Sequence, residues 1–360
     1  MKCLIVSDSP SSGGLLTFLD NIVSIHESVN FETVLLISDD TPPEFLSKFN
    51  SKNIEFKYFP PFENQLNVYN RLFKEYQNLR KIVSEINPDF VIINTGNPTY
   101  YFSFYFLKYP LIYVVHSLVM RLSWKSIFIT LIPKLFSSSF KIMLTVSYNS
   151  RDRIKKYWFS NLNRIRVTYN PFNSANVEHV NRKNNKVILT IGHVISYKNP
   201  QMWLLVAEQI IKEYHDVTFY WVGDGPELDK YQDLTKDNSR INFVGYSSDV
   251  LFYYKKGYLY FQPSIFESQG IAVVEALANG IPCVVSNKGG LPEMVAHGIT
   301  GFVCENDVES YIHFIRLGLS LSTSNYMCMS NNSVDYAIKK FDFNQFKLNI
   351  LGIYKEIIEW

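Results

Sequence analysis

Short apolar runs alternate with longer amphipathic segments along most of this 360-residue chain. In the first half the apolar runs are KCLIVSD, FETVLLISD, PDFVIINTG, PLIYVVHS and KIMLTV, followed by RIRVTYNPFN. Segments with helical periodicity, such as LLTFLDNIVSIHE and NQLNVYNRLFKEYQNLRKIVSEI, separate several of these runs. Strands that are apolar throughout are buried on both faces, and helices between them connect parallel strands. The first half therefore predicts a parallel α/β sheet that is covered by helices.

The same alternation starts again after a polar stretch at 173–186, whose composition is typical of a linker. The second set of apolar runs is VILTIGHV, VTFYWVGDG, INFVGYS, YLYFQPS, PCVVSN and TGFVCE. We therefore predict a first domain over 1–176 and a second domain over 177–342. The segment 343–360 is predicted to be a helix that can pack on either domain through one apolar face, formed by Phe346, Ile350, Ile353, Tyr354 and Ile357.

The composition fits two globular domains and argues against a nucleic-acid-binding protein. A chain of this length exceeds one ordinary hydrophobic core, and 47% of its residues are hydrophobic. The net charge is only +2, so no nucleic-acid partner is predicted. Charged residues make up 19% of the chain and aromatic residues 16%, a balance that favours contact with sugar or lipid.

The cysteines and the first residues predict a cytoplasmic protein. Cys3, Cys283, Cys304 and Cys328 form no CxxC pair and mostly have apolar neighbours, so we expect buried, reduced thiols. The opening MKCLIVSDS is too short an apolar stretch for a signal peptide, and it predicts a buried first strand instead.

Two apolar segments raise the question of membrane contact. Tyr100–Met120 is interrupted by Lys108, Pro110 and His116, so we expect a helix ending near Lys108 and then a buried strand, not a spanning helix. Trp124–Lys141 mixes lysines with tryptophan, phenylalanine and isoleucine, which suits the surface of an anionic bilayer. An internal helix packed on the sheet is the alternative for this segment. The sequence thus leaves open peripheral contact with the inner face of the plasma membrane.

Two carboxylates bracket a polar turn in IFESQGIAVVEALANG, which follows the apolar run YLYFQPS. Glu267 precedes the turn formed by Ser268, Gln269 and Gly270, and Glu275 lies inside the predicted helix. Ligands of parallel sheets bind beyond the carboxyl ends of the strands, and helix N-termini attract anions. We expect Gly270 to let a phosphate approach the backbone, Glu275 to accept hydrogen bonds from a ribose diol, and Glu267 to reach a sugar ring. The alternative is that both glutamates are ordinary surface acids.

Other strand ends of the second half carry groups that suit a phosphate and a base. Lys198 follows VILTIGHV on a loop before a predicted helix, where its amine can neutralise a diphosphate. His193, five residues earlier, can donate a hydrogen bond to the same phosphates. Gly223 opens a tight turn, and a flat base can rest on the backbone at Gly245 and Tyr246. A solvated lysine and a packed histidine are the alternatives for the first two residues.

The first half offers two candidate features at strand ends. Gly13 and Gly14 precede a predicted helix, where backbone amides can approach a phosphate or an acceptor, although a plain flexible turn is equally consistent. His116 ends a predicted buried strand and is expected at the same edge of the sheet. A histidine that only satisfies packing is the alternative there.

Taken together, these residues resemble the family 4 glycosyltransferases, which have the GT-B fold. The resemblance is densest from Val187 to Glu305, and its most specific part is PSIFESQGIAVVEALANGIPCVVSNKGGLPEMVAHGITGFV, with seven residues between the two glutamates. The pieces GDGPE, FVGY, SYNSR and YNPF also fit. The resemblance implies two Rossmann-like βα domains facing each other across a cleft, with the last helix packing back on the first domain.

The resemblance also implies a role for each candidate of the second domain. Glu275 would hold the ribose of a nucleotide-sugar donor, Lys198 its diphosphate, and Glu267 with the turn at 268–270 the sugar. Such enzymes retain the anomeric configuration and need neither a metal nor a cofactor, because protein cations and helix ends stabilise the departing diphosphate.

In the first domain, the resemblance implies that Gly13 and Gly14 form a loop facing the reaction centre and that His116 lies near the transferred sugar. One position departs from the family pattern, since His193 stands where an arginine is usual. A neutral imidazole is a weaker phosphate partner than a guanidinium, so phosphate binding would depend more on Lys198 and the helix.

The substrates are less clearly marked than the family. We expect a UDP-sugar donor, with GDP-mannose next, and a glycan or lipid-linked oligosaccharide acceptor in surface-polysaccharide assembly. A dinucleotide-dependent oxidoreductase is disfavoured, because the loop SDSPSSGGLL lacks the Gly-x-Gly-x-x-Gly fingerprint. A sugar-nucleotide 2-epimerase and a non-catalytic partner of another transferase remain as alternatives.

Overall fold

A computed structural model of the chain describes residues 1–7, 13–49, 52–59, 68–95, 109–116, 141–158, 164–172 and 186–359. The chain divides into two compact units, one formed by Met1–Asn170 with Lys347–Trp360 and the other by Pro171–Phe346. The domain limits drawn from the sequence, at 176 and 342, stay predictions.

The first unit is built on a parallel sheet. Its strands are β1 (Lys2–Ser7), β2 (Glu32–Ser38), β3 (Ile54–Phe59), β4 (Phe90–Asn94), β5 (Leu111–Val115), β6 (Lys141–Thr145) and β7 (Ile165–Val167). They lie in the order β3-β2-β1-β4-β5-β6-β7, and every neighbouring pair is parallel. The described helices are α1 (Gly14–Ser28), α2 (Pro43–Ser47), α3 (Val68–Ile86) and α4 (Tyr148–Trp158).

The second unit repeats this architecture. Its strands are β8 (Lys186–Ile191), β9 (Val217–Val222), β10 (Ile241–Gly245), β11 (Gly257–Gln262), β12 (Cys283–Ser286) and β13 (Gly301–Cys304), in the parallel order β10-β9-β8-β11-β12-β13. Its helices are α5 (Pro200–Glu213), α6 (Leu228–Thr235), α7 (Val250–Lys256), α8 (Ile271–Ala278), α9 (Leu291–Met294), α10 (Val308–Leu319) and α11 (Thr323–Phe341). The last helix, α12 (Phe343–Ile358), belongs mostly to the first unit. The predicted parallel α/β class is confirmed in both units.

Strand β3 and helix α2 are missing from the sequence prediction. The strand reads IEFKYF, in which polar and apolar residues alternate over most of its length, and its described side chains are half-buried or exposed. It pairs only with β2, at the edge of the sheet. An edge strand is not covered on both faces, so a search for continuous apolar runs passes over it.

The predicted apolar face of the last helix is confirmed, because all five of its side chains are buried. Within the first unit, the Tyr354 hydroxyl lies 2.9 Å from Nε2 of His26, whose Nδ1 lies 2.8 Å from the Thr33 hydroxyl. Burial lowers the pKa of His26 to about 4. Arg166 of β7 also donates to both carboxylate oxygens of Glu356 on α12, which forms an ion pair between the sheet and this helix. Helix α12 is therefore held on the first unit by both apolar and polar contacts.

The core of the second unit fixes the end of β8. Trp203 and Trp221 are fully buried and meet edge to face, with ring centroids 5.4 Å apart. The indole of Trp203 donates to the Thr190 hydroxyl (2.7 Å), and that of Trp221 donates to the carbonyl of Gly192 (2.8 Å). Both indole N–H groups are thereby satisfied, and the backbone that leaves β8 is tied to the core.

The expectation of four buried thiols is wrong for one residue. Cys3, Cys283 and Cys304 are buried free cysteines, whereas Cys328 is exposed on helix α11. Burial raises the pKa of the first two thiols well above the ordinary value, and that of Cys304 to about 12. A helix that covers a sheet keeps one face in solvent, and Cys328 lies on that face next to the exposed Met327.

The segments that raised the question of membrane contact lie almost wholly outside the described residues. This holds for the helix predicted to end near Lys108 and for Trp124–Lys141, of which only the backbone of Lys141 is described. The strand predicted after Pro110 is confirmed as β5. Among the helices that the structure describes, none combines the length and the apolar character needed to cross a bilayer.

Candidate active site

The candidate site lies in the second unit, where the carboxyl ends of parallel strands gather at one edge of the sheet. The loop that follows β11 leads into α8, and it carries the predicted turn. Gly270, the residue before α8, has φ +95°, and a Cβ atom there would lie 2.7 Å from Cδ2 of Leu291. Glycine is therefore required for both backbone conformation and space. No described side chain caps α8, so no side-chain acceptor offsets the positive end of its dipole.

A second glycine pair holds the backbone of this loop in place. The amide of Gly290 donates to the carbonyl of Glu267 (2.8 Å). A Cβ atom at Gly289 would lie 2.0 Å from that same oxygen, and one at Gly290 would lie 2.2 Å from the carbonyl oxygen of Ser268. The loops after β11 and β12 thus touch through their backbones, which explains why KGG follows the end of β12.

Glu267 is not an ordinary surface acid. Its Oε1 forms an ion pair with Nζ of Lys198, and the two side chains are only 13% and 12% exposed. The same oxygen accepts from Nε2 of Gln262 (2.8 Å) and, more weakly, from the hydroxyl of Ser264 (3.5 Å). The alternative of a solvated lysine at 198 is therefore wrong.

The backbone around Lys198 explains how its amine reaches this position. A short 3₁₀ turn at Ser196–Lys198 ends in Asn199, which has φ +62° and whose side chain caps α5 by accepting from the amide of Met202 (3.4 Å). The lysine then extends back over Gly192, where a Cβ atom would lie 3.3 Å from Nζ. Lys198 thus links the turn after β8 to the loop after β11, and its role toward phosphate stays a prediction.

The turns after β8, β9 and β10 meet through their glycines. Gly223 has φ +146°, and a Cβ atom there would lie 2.2 Å from the carbonyl oxygen of Gly192. Its amide donates to the carbonyl of Gly245 (2.8 Å), which itself has φ +83°. Gly223 and Gly245 are therefore brought together by close backbone approach. Tyr246 follows directly and is 77% exposed, which leaves its ring available to a ligand.

His193 is exposed on the turn after β8. Its Nδ1 lies 3.3 Å from the carbonyl oxygen of Asp224, a long contact that leaves the ring weakly held. The structure places His193 next to Gly192 and therefore on the same turn that Lys198 covers. Its role toward phosphate stays a prediction.

Glu275 lies on α8 and is half-buried, so the alternative of an exposed helix acid is wrong. The hydroxyl of Tyr254 donates to its Oε2 at 2.7 Å. Burial raises the pKa of Glu275 above its ordinary value, and this hydrogen bond partly offsets the rise. Tyr254 stays a neutral donor, because burial and the neighbouring Glu275 raise the pKa of its phenol well above 10. Sequence reasoning missed Tyr254, since no pattern connects residues of two different helices.

Helix α1 connects the three candidate residues of the first unit, Gly13, Gly14 and His116. Gly13 precedes this helix with φ +93°, and no described atom lies within 4 Å of a Cβ atom placed there; Gly14 is already the first helical residue. His116 follows β5 and packs edge to face on Phe18 of α1, with ring centroids 5.0 Å apart. The structure therefore places His116 and the two glycines on neighbouring elements.

The hydrogen bonds around His116 settle which ring nitrogen carries the proton. The amide nitrogen of Asn94 donates to the hydroxyl of Ser7 and to the carbonyl of Leu15, both at 3.2 Å. Its Oδ1 must therefore accept from Nε2 of His116, at 2.6 Å. Burial lowers the pKa of His116 to about 3. The imidazole is thus neutral, with Nδ1 as an acceptor.

Gln262, Tyr260 and Ser264 are site residues that the sequence reasoning missed. The available signal was a glutamine that ends the otherwise apolar strand GYLYFQ. Buried amides need hydrogen-bond partners, so a polar side chain there predicts a polar network beyond the strand.

Within the described residues, no three His, Cys, Asp or Glu side chains gather in the manner of a metal site.

Comparison with known proteins adds to this geometry. Residues 13–176 match the model of the family described as Glycosyltransferase Family 4, and residues 173–333 match that described as Glycosyl transferases group 1. A Haemophilus influenzae protein described as an uncharacterised glycosyltransferase is 36% identical over 168 residues, which is 43% of this chain and 46% of the relative.

An Escherichia coli UDP-Gal:alpha-D-GlcNAc-diphosphoundecaprenol alpha-1,3-galactosyltransferase is 32% identical over 139 residues, 37% of this chain and 36% of the relative. The chain thus matches less than half the length of either curated relative. Among solved structures, Anabaena HepE in complex with UDP and glucose superposes with a TM-score of 0.79 at 18% identity, covering 99% of this chain and 100% of that one. The chain therefore belongs to the family 4 glycosyltransferases and has the GT-B fold.

Proposed function

We propose that this chain transfers a sugar from a nucleoside diphosphate to a glycan or lipid-linked acceptor, with retention of anomeric configuration. The observation that carries the proposal is the Lys198–Glu267 pair beside the N-terminus of α8, which no described side chain caps. An ammonium group and a helix N-terminus suit a diphosphate, and a carboxylate suits sugar hydroxyls. Glu275 with its Tyr254 partner suits the ribose diol of the same donor.

The proposed chemistry needs charge stabilisation more than a protein nucleophile. The bond from the anomeric carbon to the diphosphate oxygen breaks, and negative charge grows on the leaving group. Lys198 and the N-terminus of α8 oppose that charge, and donors aimed in this way supply about 3–4 kcal/mol each in oxyanion holes. The acceptor hydroxyl then forms the new bond and gives up its proton, for which the departing diphosphate is the proposed base. No step requires a metal, so we expect turnover to be insensitive to chelators.

A UDP-sugar is the proposed donor. The Escherichia coli relative is named for UDP-Gal, and HepE was solved with UDP and glucose, which supports uracil over guanine and adenine. A lipid-linked acceptor in polysaccharide assembly is proposed from the same relative, whose name contains a diphosphoundecaprenol acceptor. The aromatic composition of the chain supports this choice.

One experiment separates the proposed transferase from its alternatives. The purified chain is tested by thermal shift with UDP, GDP, ADP and their glucose or mannose derivatives, since a ligand of the native state raises the melting temperature. A UDP-sugar that raises it is then incubated with the chain, with and without lipid-linked glycans. A transferase consumes the donor in the presence of an acceptor. An epimerase converts the donor without one, and a non-catalytic partner leaves it unchanged in both reactions.

A further inference from the structure

A buried glutamine and tyrosine connect the end of β8 to the carboxylate of Glu267. Gln262 is the last residue of β11 and is 1% exposed. Its Oε1 accepts from the hydroxyl of Tyr260 at 3.0 Å, and its Nε2 lies 2.8 Å from Oε1 of Glu267 and 3.2 Å from the hydroxyl of Ser264. A carboxylate only accepts hydrogen bonds, so the atom of Gln262 that faces Glu267 must be the NH₂ group. The orientation of the buried amide is therefore fixed by its neighbours.

Tyr260 contacts the other end of this amide. Its phenol accepts from the amide of Ile191 at 3.2 Å, and the carbonyl of the same residue lies 3.1 Å from the phenol oxygen. Burial raises the pKa of Tyr260 well above 10, so the phenol keeps its single proton, which it shares between Oε1 of Gln262 at 3.0 Å and the carbonyl of Ile191. The hydrogen-bonded chain thus runs from the backbone that ends β8, through two side chains of β11, to Glu267.

The contacts on Glu267 are strongly asymmetric. Every donor to its carboxylate among the described residues addresses Oε1, namely Lys198, Gln262 and Ser264. Oε2 is the oxygen that these contacts leave for a hydroxyl of a bound sugar. Lys198 is also the proposed partner of the diphosphate, so its three N–H donors would be shared between the carboxylate and phosphate oxygens. The amide of Gln262, 2.8 Å from Oε1, is the close donor to this carboxylate that has no proposed role toward phosphate.

We propose that Gln262, oriented by Tyr260, is a positioning residue that holds Oε1 of Glu267 and thereby presents Oε2 to the sugar of the donor. The role rests on the proposed function, because it assigns Glu267 to sugar binding. Supporting hydrogen bonds of this kind hold functional groups within the narrow geometry that binding requires. Gln262 touches no reacting atom in this role, and it acts through Glu267.

The contact itself is tested without any ligand, by exchanging the two side chains. In Gln262→Glu, two carboxylates face each other, and only the protonated form of the new acid can donate to Glu267. Its melting temperature should therefore fall, relative to the wild type, as the pH rises from about 5 to 8. In the double variant Gln262→Glu/Glu267→Gln, the amide and the carboxylate exchange places, and this pH-dependent loss should disappear. A loss that is constant with pH, or that persists in the double variant, overturns the contact.

The positioning role is tested with UDP and UDP-glucose as probes. Gln262→Met keeps the length of the side chain and removes the donor, so UDP-glucose binding should weaken about fivefold to tenfold while UDP stays within about twofold. Tyr260→Phe should show a smaller loss of the same kind, and Tyr258→Phe, a buried tyrosine of the same strand that stacks on Tyr326, should show none. Equal weakening of both ligands in Gln262→Met overturns the role, because a general disturbance of the loop would affect both probes.

The positioning role and the proposed function fail in different ways. If the wild-type chain shows the pH-dependent coupling between positions 262 and 267 but binds neither probe, the contact stands and the proposed donor has failed. If the wild-type chain binds UDP-glucose more tightly than UDP but Gln262→Met keeps that preference unchanged, the proposed function stands and the positioning role is overturned.

Discussion

Replacing Lys198 with methionine removes the charge that we assign to the leaving group and keeps most of the side-chain volume. In the structure the amine is paired with Glu267, and both side chains are nearly buried. Loss of one partner from a fully buried pair costs about 3–5 kcal/mol, so a pair that keeps some solvent contact should lose about 1–3 kcal/mol of unfolding free energy. The second replacement, Glu267→Gln, should recover part of this loss, because the carboxylate is no longer left without its cation.

The catalytic effect should be larger than the effect on donor binding. Removing one aimed donor from an oxyanion hole lowers turnover by about 10²–10³-fold, and we expect the same range for Lys198→Met. Donor affinity should fall by less than about tenfold, since the wild-type amine divides its hydrogen bonds between Glu267 and the phosphate. Lys186→Met is the matched control. That lysine is the first residue of β8, at the end of the strands away from the candidate site, and its Nζ lies 3.6 Å from Oδ2 of Asp216. Its replacement should leave turnover and donor affinity unchanged.

The assay is UDP release from UDP-glucose, measured as initial rates with a lipid-linked glycan, together with calorimetric titration of the same donor. The ratio of the turnover loss to the affinity loss decides the question. If Lys198→Met lowers turnover and affinity by the same factor, the amine is a simple binding group and its assignment to the leaving group is refuted. The assignment is refuted equally if Lys186→Met behaves like Lys198→Met.

Three further predictions follow from other contacts. Tyr254→Phe removes the donor to Glu275, so binding of UDP should weaken by about three- to tenfold, and the half-buried carboxylate that loses its donor should lower the unfolding free energy by about 1–2 kcal/mol; unchanged affinity would contradict the ribose role. Gly289→Ala should cost about 2–4 kcal/mol of stability in chemical unfolding, because its Cβ atom would meet a backbone oxygen at 2.0 Å; Gly298→Ala has a similar φ but open space, and it should cost only about 1 kcal/mol. The third concerns His26, whose pKa is about 4 in the folded chain and about 6.5 when unfolded, so the unfolded state binds its proton first as the pH falls. Neutral His26 stabilises the fold fully above about pH 6.5, and its contribution to the unfolding free energy should be about 2 kcal/mol smaller at pH 5 than at pH 7. If the unfolding free energy of a His26→Gln variant falls as steeply between pH 7 and pH 5, the pH dependence does not come from His26.

The fold was largely predictable because most strands are buried on both faces. Runs such as VILTIGHV and PLIYVVHS have no polar face, and only a covered parallel sheet satisfies them. The edge strand β3 was not predicted, because its side chains are partly exposed to solvent and its sequence has no continuous apolar run. The exposed Cys328 was missed because its apolar neighbours indicate burial only when the face of the helix is known.

The candidate site was predictable where backbone geometry demands particular residues. Gly270 and Gly289 are required by positive φ and by close approach, and such requirements leave a trace in the sequence. The pairing of Lys198 with Glu267 and of Tyr254 with Glu275 left no such trace. These contacts join separate elements, and their geometry depends on how the helices pack on the sheet.

The central claim is that the second unit binds a nucleoside-diphosphate sugar through Lys198, Glu267, Glu275 and the N-terminus of α8. A crystal structure of the chain with UDP-glucose tests it most directly. We expect the ribose hydroxyls on Glu275, the diphosphate at Lys198 and the amides that begin α8, and a glucose hydroxyl on Oε2 of Glu267. A nucleotide bound elsewhere, or a pentose that makes no contact with Glu275, would contradict the claim.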